Sequence, residues 1–270
     1  MVQHLIVPVD GSDASWRATD VAVELARRCD ADVEIVEVVF DEVEVADSAA
    51  RLADRVEQHG ITDLDVTTTT LLAGESVADA LALQIEAHPE AMLVMSSHGR
   101  GRSAALLGSV TEELLQLTFG PMLVVGPHVT DGRFDGPIVV AVDGSKASET
   151  VLPLAAAWGI ELGVEPWIVE VTSPDVQTAG DVAESAYPAR LARKLASQSG
   201  HPVQFDVLHG RDVDQQVADF ADSMNASMIV ASTHGRTGLA RFVIGSTVAA
   251  IVRHAPCPVL LLRPPHMADA

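Results

Sequence analysis

Lysine is almost missing from this chain. Of 17 basic residues only Lys146 and Lys194 are lysines, against 38 Asp and Glu. The formal net charge of −21 repels phosphate backbones and anionic lipid surfaces, so neither nucleic acid nor membrane is expected as a partner. The same acidic, lysine-poor composition also suits a surface built only for solubility. One Tyr and three Trp leave few platforms on which bases could stack. The two cysteines, Cys29 and Cys257, lie far apart with no CxxC, which removes a local thiolate metal site and fits a reduced, cytoplasmic compartment. No apolar run approaches about 18 residues, so no membrane span is expected. The N-terminus passes straight into HLIVPVD (4–10) without a charged and then apolar leader, so no signal peptide is expected either. What the chain has in quantity is apolar side chain, 48% of 270 residues, enough for one large domain or two ordinary ones.

The chain repeats itself. LIVPVDGSDAS (5–15) returns as IVVAVDGSKAS (138–148), and VEIVEVV (33–39) as PWIVEVT (166–172), both at an offset of 133. LVMSSHGRG (93–101) returns as IVASTHGRT (229–237) at 136; LLGSV (106–110) and PMLVVGP (121–127) return as VIGST (243–247) and PVLLLRP (258–264) at 137. Five markers in one order with a slowly growing offset mean a tandem duplication of a domain-sized unit. The joint, GPHVTDGRFDGP (126–137), is rich in Gly, Pro and Asp, as linkers are. The expected division is residues 1–127, a linker over 128–136, and residues 137–265.

Each half reads as five strands alternating with four helices. Short β-branched runs at 5–9, 33–39, 65–71, 92–95 and 122–125 are separated by helical patterns such as 14–28 and 77–87. Near-continuous apolar strands suit a parallel sheet covered on both faces. The fold class is therefore α/β: two tandem doubly wound domains, each a five-stranded parallel sheet flanked by helices. Ligands of such sheets sit in the crevice at the carboxyl ends of the strands. Asp10, Val38 and the Ser-Ser-His-Gly turn reach that crevice in the first half, and Asp143, Val171 and Ser-Thr-His-Gly in the second.

After the fourth strand of each half comes a glycine-bearing turn, then a Gly-Ser pair opening a helix. Glycine lets the backbone approach a ligand closely, and a helix N-terminus presents unpaired N–H groups at the positive end of a dipole. Together they make an anion seat, most often for phosphate. Arg236 and Arg241 lie in the second turn, Arg100 and Arg102 in the first, arginine clusters that a phosphate chain would explain. Glycines at strand-helix junctions also serve merely as turn formers. Ser109 opens SVTE, the pattern of a capping box with Glu112, whereas Ser246 has Ala249 at that place and a helix start freer to receive a ligand.

Both halves resemble the universal stress protein family, and the chain resembles a tandem member of it. The resemblance rests on the VPVDGS first strand, the STHGRTG turn, the GS or GST pair nine residues after the turn's last fixed glycine, and the closing PCPVLLLR strand. It implies five-stranded parallel α/β domains of strand order 3-2-1-4-5. It also implies membership of the branch that binds ATP. In that branch a first-strand aspartate sits at the adenine-ribose end, matching Asp10 and Asp143, and a second-strand valine meets adenine through its backbone, matching Val38 and Val171. The motif G-x-x-G-(nine)-G-[S/T] holds ribose and phosphates. Its second-half matches are Gly235, Gly245 and Ser246, with His234, Arg236, Gly238 and Thr247 alongside; its first-half matches are Gly99, Gly108 and Ser109, with Arg100. The motif's first glycine is replaced by Ser232 and by Ser96, and only eight residues separate Gly99 from Gly108. The second half is thus the safer ATP site.

Binding is not catalysis. There is no GxxxxGK[ST] and no lysine in either turn, so this is not a P-loop ATPase. His98 and His234 are the available bases, but a histidine in a tight turn more often serves as a hydrogen-bonder. Mg²⁺ enters at most with the nucleotide, since no dedicated protein ligands are visible. The leading reading is a nucleotide-sensing stress protein with little or no catalysis. A nucleotide-free scaffold and a slow ATPase are the alternatives. The apolar last strands, MLVVGP (122–127) and VLLLRP (259–264), fall at a sheet rim that must be covered. The resemblance implies that this strand pairs subunits, so the two halves are expected to pack as a pseudo-two-fold pair, and two chains to form a homodimer.

Overall fold

The computed structural model describes residues 2–61, 63–99, 107–173, 185–234 and 244–264. The first half runs β1 (His4–Val9), α1 (Asp13–Cys29), β2 (Asp32–Val39), α2 (Glu42–His59), β3 (Val66–Leu72), α3 (Val77–Ala87), β4 (Ala91–Ser96), α4 (Ser109–Leu117) and β5 (Met122–Val125). The second runs β6 (Ile138–Val142), α5 (Lys146–Glu149), α6 (Leu152–Leu162), β7 (Pro166–Thr172), α7 (Ala186–Ser199), β8 (Gln204–His209), α8 (Val213–Ser223), β9 (Met228–Ser232), α9 (Ser246–His254) and β10 (Val259–Leu262). One helix differs from its repeat. Where α1 is continuous, the second half breaks into α5 and α6, because Pro153 in the first turn of α6 has no N–H for the preceding turn and clashes with the carbonyl four residues back.

Ten strands form one sheet in the order β3-β2-β1-β4-β5-β10-β9-β6-β7-β8. Each half therefore has the order 3-2-1-4-5, with all its pairs parallel. The halves meet where β5 and β10 pair antiparallel, with Leu123 opposite Leu260. Those apolar strands thus lie at the centre of the sheet and are fully covered. The outer edges are β3 and β8, and they depart from the expected apolar pattern. Thr67, Thr68, Phe205 and Asp206 are exposed, as an edge strand buried on one side permits.

Period-two alternation splits the core between the two faces. One apolar cluster gathers β-strand residues with Trp16 of α1, Leu52 of α2, Trp158 of α6 and Leu191 of α7. The other gathers Leu81 of α3, Leu114 of α4, Val217 of α8 and Ile251 of α9. Both clusters run through the two halves.

The segment joining the halves is packed. Val129 and Phe134 are buried in the first cluster. Gly132 lies against Val21 of α1 and Gly136 against the Asn225 carbonyl. The Ser227 N–H donates to the Pro137 carbonyl at 2.9 Å.

Candidate functional site

The crevice at the carboxyl ends of the strands is built on a turn used twice. In the first half the Asp10 carboxylate accepts from the Ser12 N–H (2.9 Å) and the Ser12 hydroxyl (2.5 Å). The Ser12 side chain in turn caps α1 by accepting from the Ser15 N–H. The second half repeats this with Asp143, Ser145 and Ser148 at 3.0, 2.6 and 3.1 Å. The chain can make this turn because Gly11 and Gly144 sit at φ +78° and +83°, where a side chain would be strained. Ser15 and Ser148 are buried, and each accepts from the backbone N–H of its aspartate. These serines were not singled out from the sequence, although a Ser-x-x-Ser spacing behind each aspartate was there to be read.

The turn after the fourth strand is also duplicated. Ser96 and Ser232 donate to the carbonyls of His98 and His234, each at 2.9 Å. Nδ1 of His98 lies 3.1 Å from the Ser97 hydroxyl, and Nδ1 of His234 lies 2.9 Å from the Thr233 hydroxyl. Both imidazoles are thereby tied into their turns. The loop closes where the Gly108 N–H donates to the Ser97 carbonyl (2.6 Å) and the Gly245 N–H to that of Thr233 (2.9 Å). A Cβ on Gly108 would lie 3.3 Å from that carbonyl oxygen, and one on Gly245 3.4 Å. A Cβ on Gly99 would collide with the Asp10 carboxylate, so the first-half turn and its aspartate touch.

The capping box expected at Ser109 does not form. Gly108 is the N-cap, in extended conformation, and Ser109 is the first helical residue, with no side-chain cap. Gly245 and Ser246 stand in the same relation to α9. In both halves the N-cap glycine is the residue whose N–H bonds back to the residue just past the preceding strand. Another difference between the helices persists: α4 carries Glu112 in its first turn, whereas the first turn of α9 has no acidic residue. No side chain within that first turn therefore offsets the positive end of α9. Its far end is fixed by His254, whose Nδ1 lies 2.6 Å from the Asp214 carboxylate of α8.

In the second half these parts enclose a cleft of about 270 Å³. It brings together Asp143, Ser232, His234, Gly245, Ser246 and Thr247. Its apolar wall comes from Val213, Val248 and Ile251, which the motifs did not indicate. Val171 lies at the end of β7 on the same face but is not part of the lining. Asp10, Val38, Ser96, Gly99, Gly108 and Ser109 occupy the corresponding first-half positions at the strand ends and at the start of α4. Arg100, Gly235, Arg236 and Gly238 lie outside the described residues. Cys257 is buried, and burial pushes its thiol up to about 12, so it is no nucleophile. Among the described residues no group of three or more His, Cys, Asp or Glu side chains could hold a metal ion. No helix there is long and apolar enough to cross a membrane.

Fold and cleft together define a tandem, doubly wound α/β protein whose strand ends open onto an uncapped helix N-terminus. The profile of the universal stress protein family matches residues 1–126 and 136–263, and the chain belongs to that family. A universal stress protein of Mycolicibacterium smegmatis is 30% identical over 222 residues, covering 77% of this chain and 71% of the relative. One from Mycobacterium tuberculosis is 31% identical over 186 residues, 64% of this chain and 61% of the relative. The crystal structure of a universal stress protein from Archaeoglobus fulgidus superposes with a TM-score of 0.75, at 17% identity, over 97% of this chain and 99% of the other, which is likeness of fold.

Proposed function

We propose that this chain binds ATP in the second-half cleft and acts as a cytoplasmic, nucleotide-sensing stress protein with little or no catalysis. The observation that carries the reading is the Gly245–Ser246 start of α9, uncapped and free of acidic residues in its first turn, opening into the cleft beside Asp143 and Ser232. Asp143 would hold the ribose end, the apolar wall would take the base, and the Gly245–Thr247 backbone and hydroxyls would meet the phosphates. The engagement of His234 with Thr233 favours a turn-stabilising imidazole over a general base. Glu112 at the start of α4 weakens the first half as a phosphate seat. Residues 1–127 and 137–265 act in this reading as two domains paired through β5 and β10, and two chains form a homodimer.

The test is the nucleotide carried by purified protein. Denaturation, followed by quantification of adenine nucleotide in the supernatant, is done for wild type, Gly245→Val and Gly108→Val. The valine side chain would crowd the backbone at the phosphate end. Nucleotide is expected in wild type, lost with Gly245→Val and largely kept with Gly108→Val. Wild type that carries none, and takes up none from Mg-ATP, would leave the scaffold reading in its place.

A further inference from the structure

The first half holds a second concavity that the nucleotide reading does not use. It is a notch of about 160 Å³ between α1 and α2 at the ends of β1 and β2. Its floor is Trp16 and Leu52, and its rim is Arg51, Arg55 and Glu37. It lies across the sheet from the nucleotide crevice: Val33 and Ile35 pack on the α1/α2 face, so Glu37 points to that face and Val38 to the other.

Arg51 and Arg55 are four residues apart and share one face of α2. Arg51 lies 3.6 Å from the Glu37 carboxylate. Arg55 lies over the Trp16 ring at 5.2 Å, and His59 stacks on the same indole at 4.8 Å. Among the described residues no carboxylate pairs with Arg55. A guanidinium laid on an aromatic face keeps its N–H donors in its own plane, available to a planar or tetrahedral anion.

The duplication supplies an internal comparison. At the offset that matches Asp10 to Asp143, Trp16 becomes Glu149 and Glu37 becomes Glu170. There Tyr187 donates to Glu149 at 3.2 Å, its hydroxyl pushed up by burial and then by the charges of Glu149 and Glu170. The second-half counterpart thus has glutamates where the first half has Trp16 and Glu37. Arg190 lies over the Tyr187 ring at 5.6 Å there, but among the described residues a pair of arginines beside an indole is seen in the first half.

We propose that the Trp16–Arg51–Arg55 notch is a second ligand site, for a small molecule carrying a phosphate or carboxylate on a short apolar body. The guanidiniums take the anion and the indole and Leu52 take the body. The volume is below the ~300 Å³ at which drug-sized ligands begin to fit, which limits the ligand to a small metabolite. The site stands independently of the nucleotide reading.

The experiment is ¹⁹F NMR of the full chain labelled with 5-fluorotryptophan. Its three resonances come from Trp16, Trp158 and Trp167, with Trp16→Phe assigning the first. Sodium phosphate and sodium acetate are titrated separately at constant ionic strength. The Trp16 line is expected to move saturably with at least one of them, and which one identifies the head group. Arg55→Ala and Arg51→Ala should each weaken the response about tenfold or more, because each removes a charge-assisted donor. Gly245→Val should leave it unchanged. A Trp16 line that stays still with both anions, or moves equally in wild type and both arginine variants, overturns the proposal. The Trp158 line reports folding, and if Arg55→Ala loses it, Arg51→Gln carries the same test.

Discussion

Two serines show how much a single side chain does here. Ser145 donates to Asp143 and accepts from the Ser148 N–H, so it holds both the aspartate and the start of α5. Loss of an N-cap hydroxyl costs about 1 kcal/mol. Ser145→Ala is therefore expected to lower stability by about that amount in urea denaturation, and to weaken nucleotide binding by loosening Asp143. Ser12→Ala should cost about the same stability while leaving second-half binding intact, since it touches only Asp10 and α1. The aspartate was legible from the repeated VDGS. Its serine partners, two and five residues further on, stand in the same repeated stretch, but their hydrogen bonds are settled only once the turn is closed.

At the scale of an element, β2 carries a carboxylate into the body of the fold. Glu34 is buried and accepts from Thr69 of β3 at 2.5 Å, from Gln84 of α3 at 2.9 Å, and lies 3.1 Å from Nε2 of His4 in β1. Burial alone would raise its carboxyl, but the hydrogen bonds from Thr69, Gln84 and His4, with the charge of His4, hold it below the ordinary 4.5. A lowered native value means that its stabilisation is present above the ordinary 4.5 and is lost as pH falls below it through the lowered native value. Glu34→Gln should lower stability at pH 7 by about 1–3 kcal/mol and flatten the decline on acidification. Urea denaturation at pH 7 and at pH 4 checks both. A wild type and variant that decline in parallel would contradict this assignment. The strand itself is plain in the sequence; the network is not, since Glu34's partners lie up to 50 residues from it.

At the scale of the molecule, each half grips the helix end of the other. Arg263, past β10, donates to the Gln116 carbonyl near the C-terminus of α4 and lies 4.9 Å over Phe119. Its repeat partner is Gly126, past β5, which packs so closely on the Val252 carbonyl of α9 that a Cβ would collide with it. Both obstructing atoms are backbone, so neither can yield by a rotamer change. Gly126→Ala is expected to cost about 1–3 kcal/mol. Calorimetry should show the single transition of a continuous ten-stranded sheet moving to lower temperature or splitting in two. An unchanged melting profile would mean that the seam carries little of the stability.

The duplication, the strand-helix alternation and the places where glycine turns meet helix starts were determined by the sequence alone. They are local patterns: a period of two or 3.6, a repeated word, a residue type a turn requires. Four decisions came only with the tertiary structure. The antiparallel register of β5 on β10 was set, the joining segment packed around Phe134, Gly108 rather than Ser109 became the cap, and Arg51 and Arg55 came beside Trp16, with Arg55 over its ring. The physical reason is shared. Each depends on which distant surface or carbonyl the chain meets: β5 needs β10 more than 100 residues away, and Gly108 needs the Ser97 carbonyl across a loop. Local periodicity says that a strand or a helix start exists, and only closure of the chain says what it is placed against.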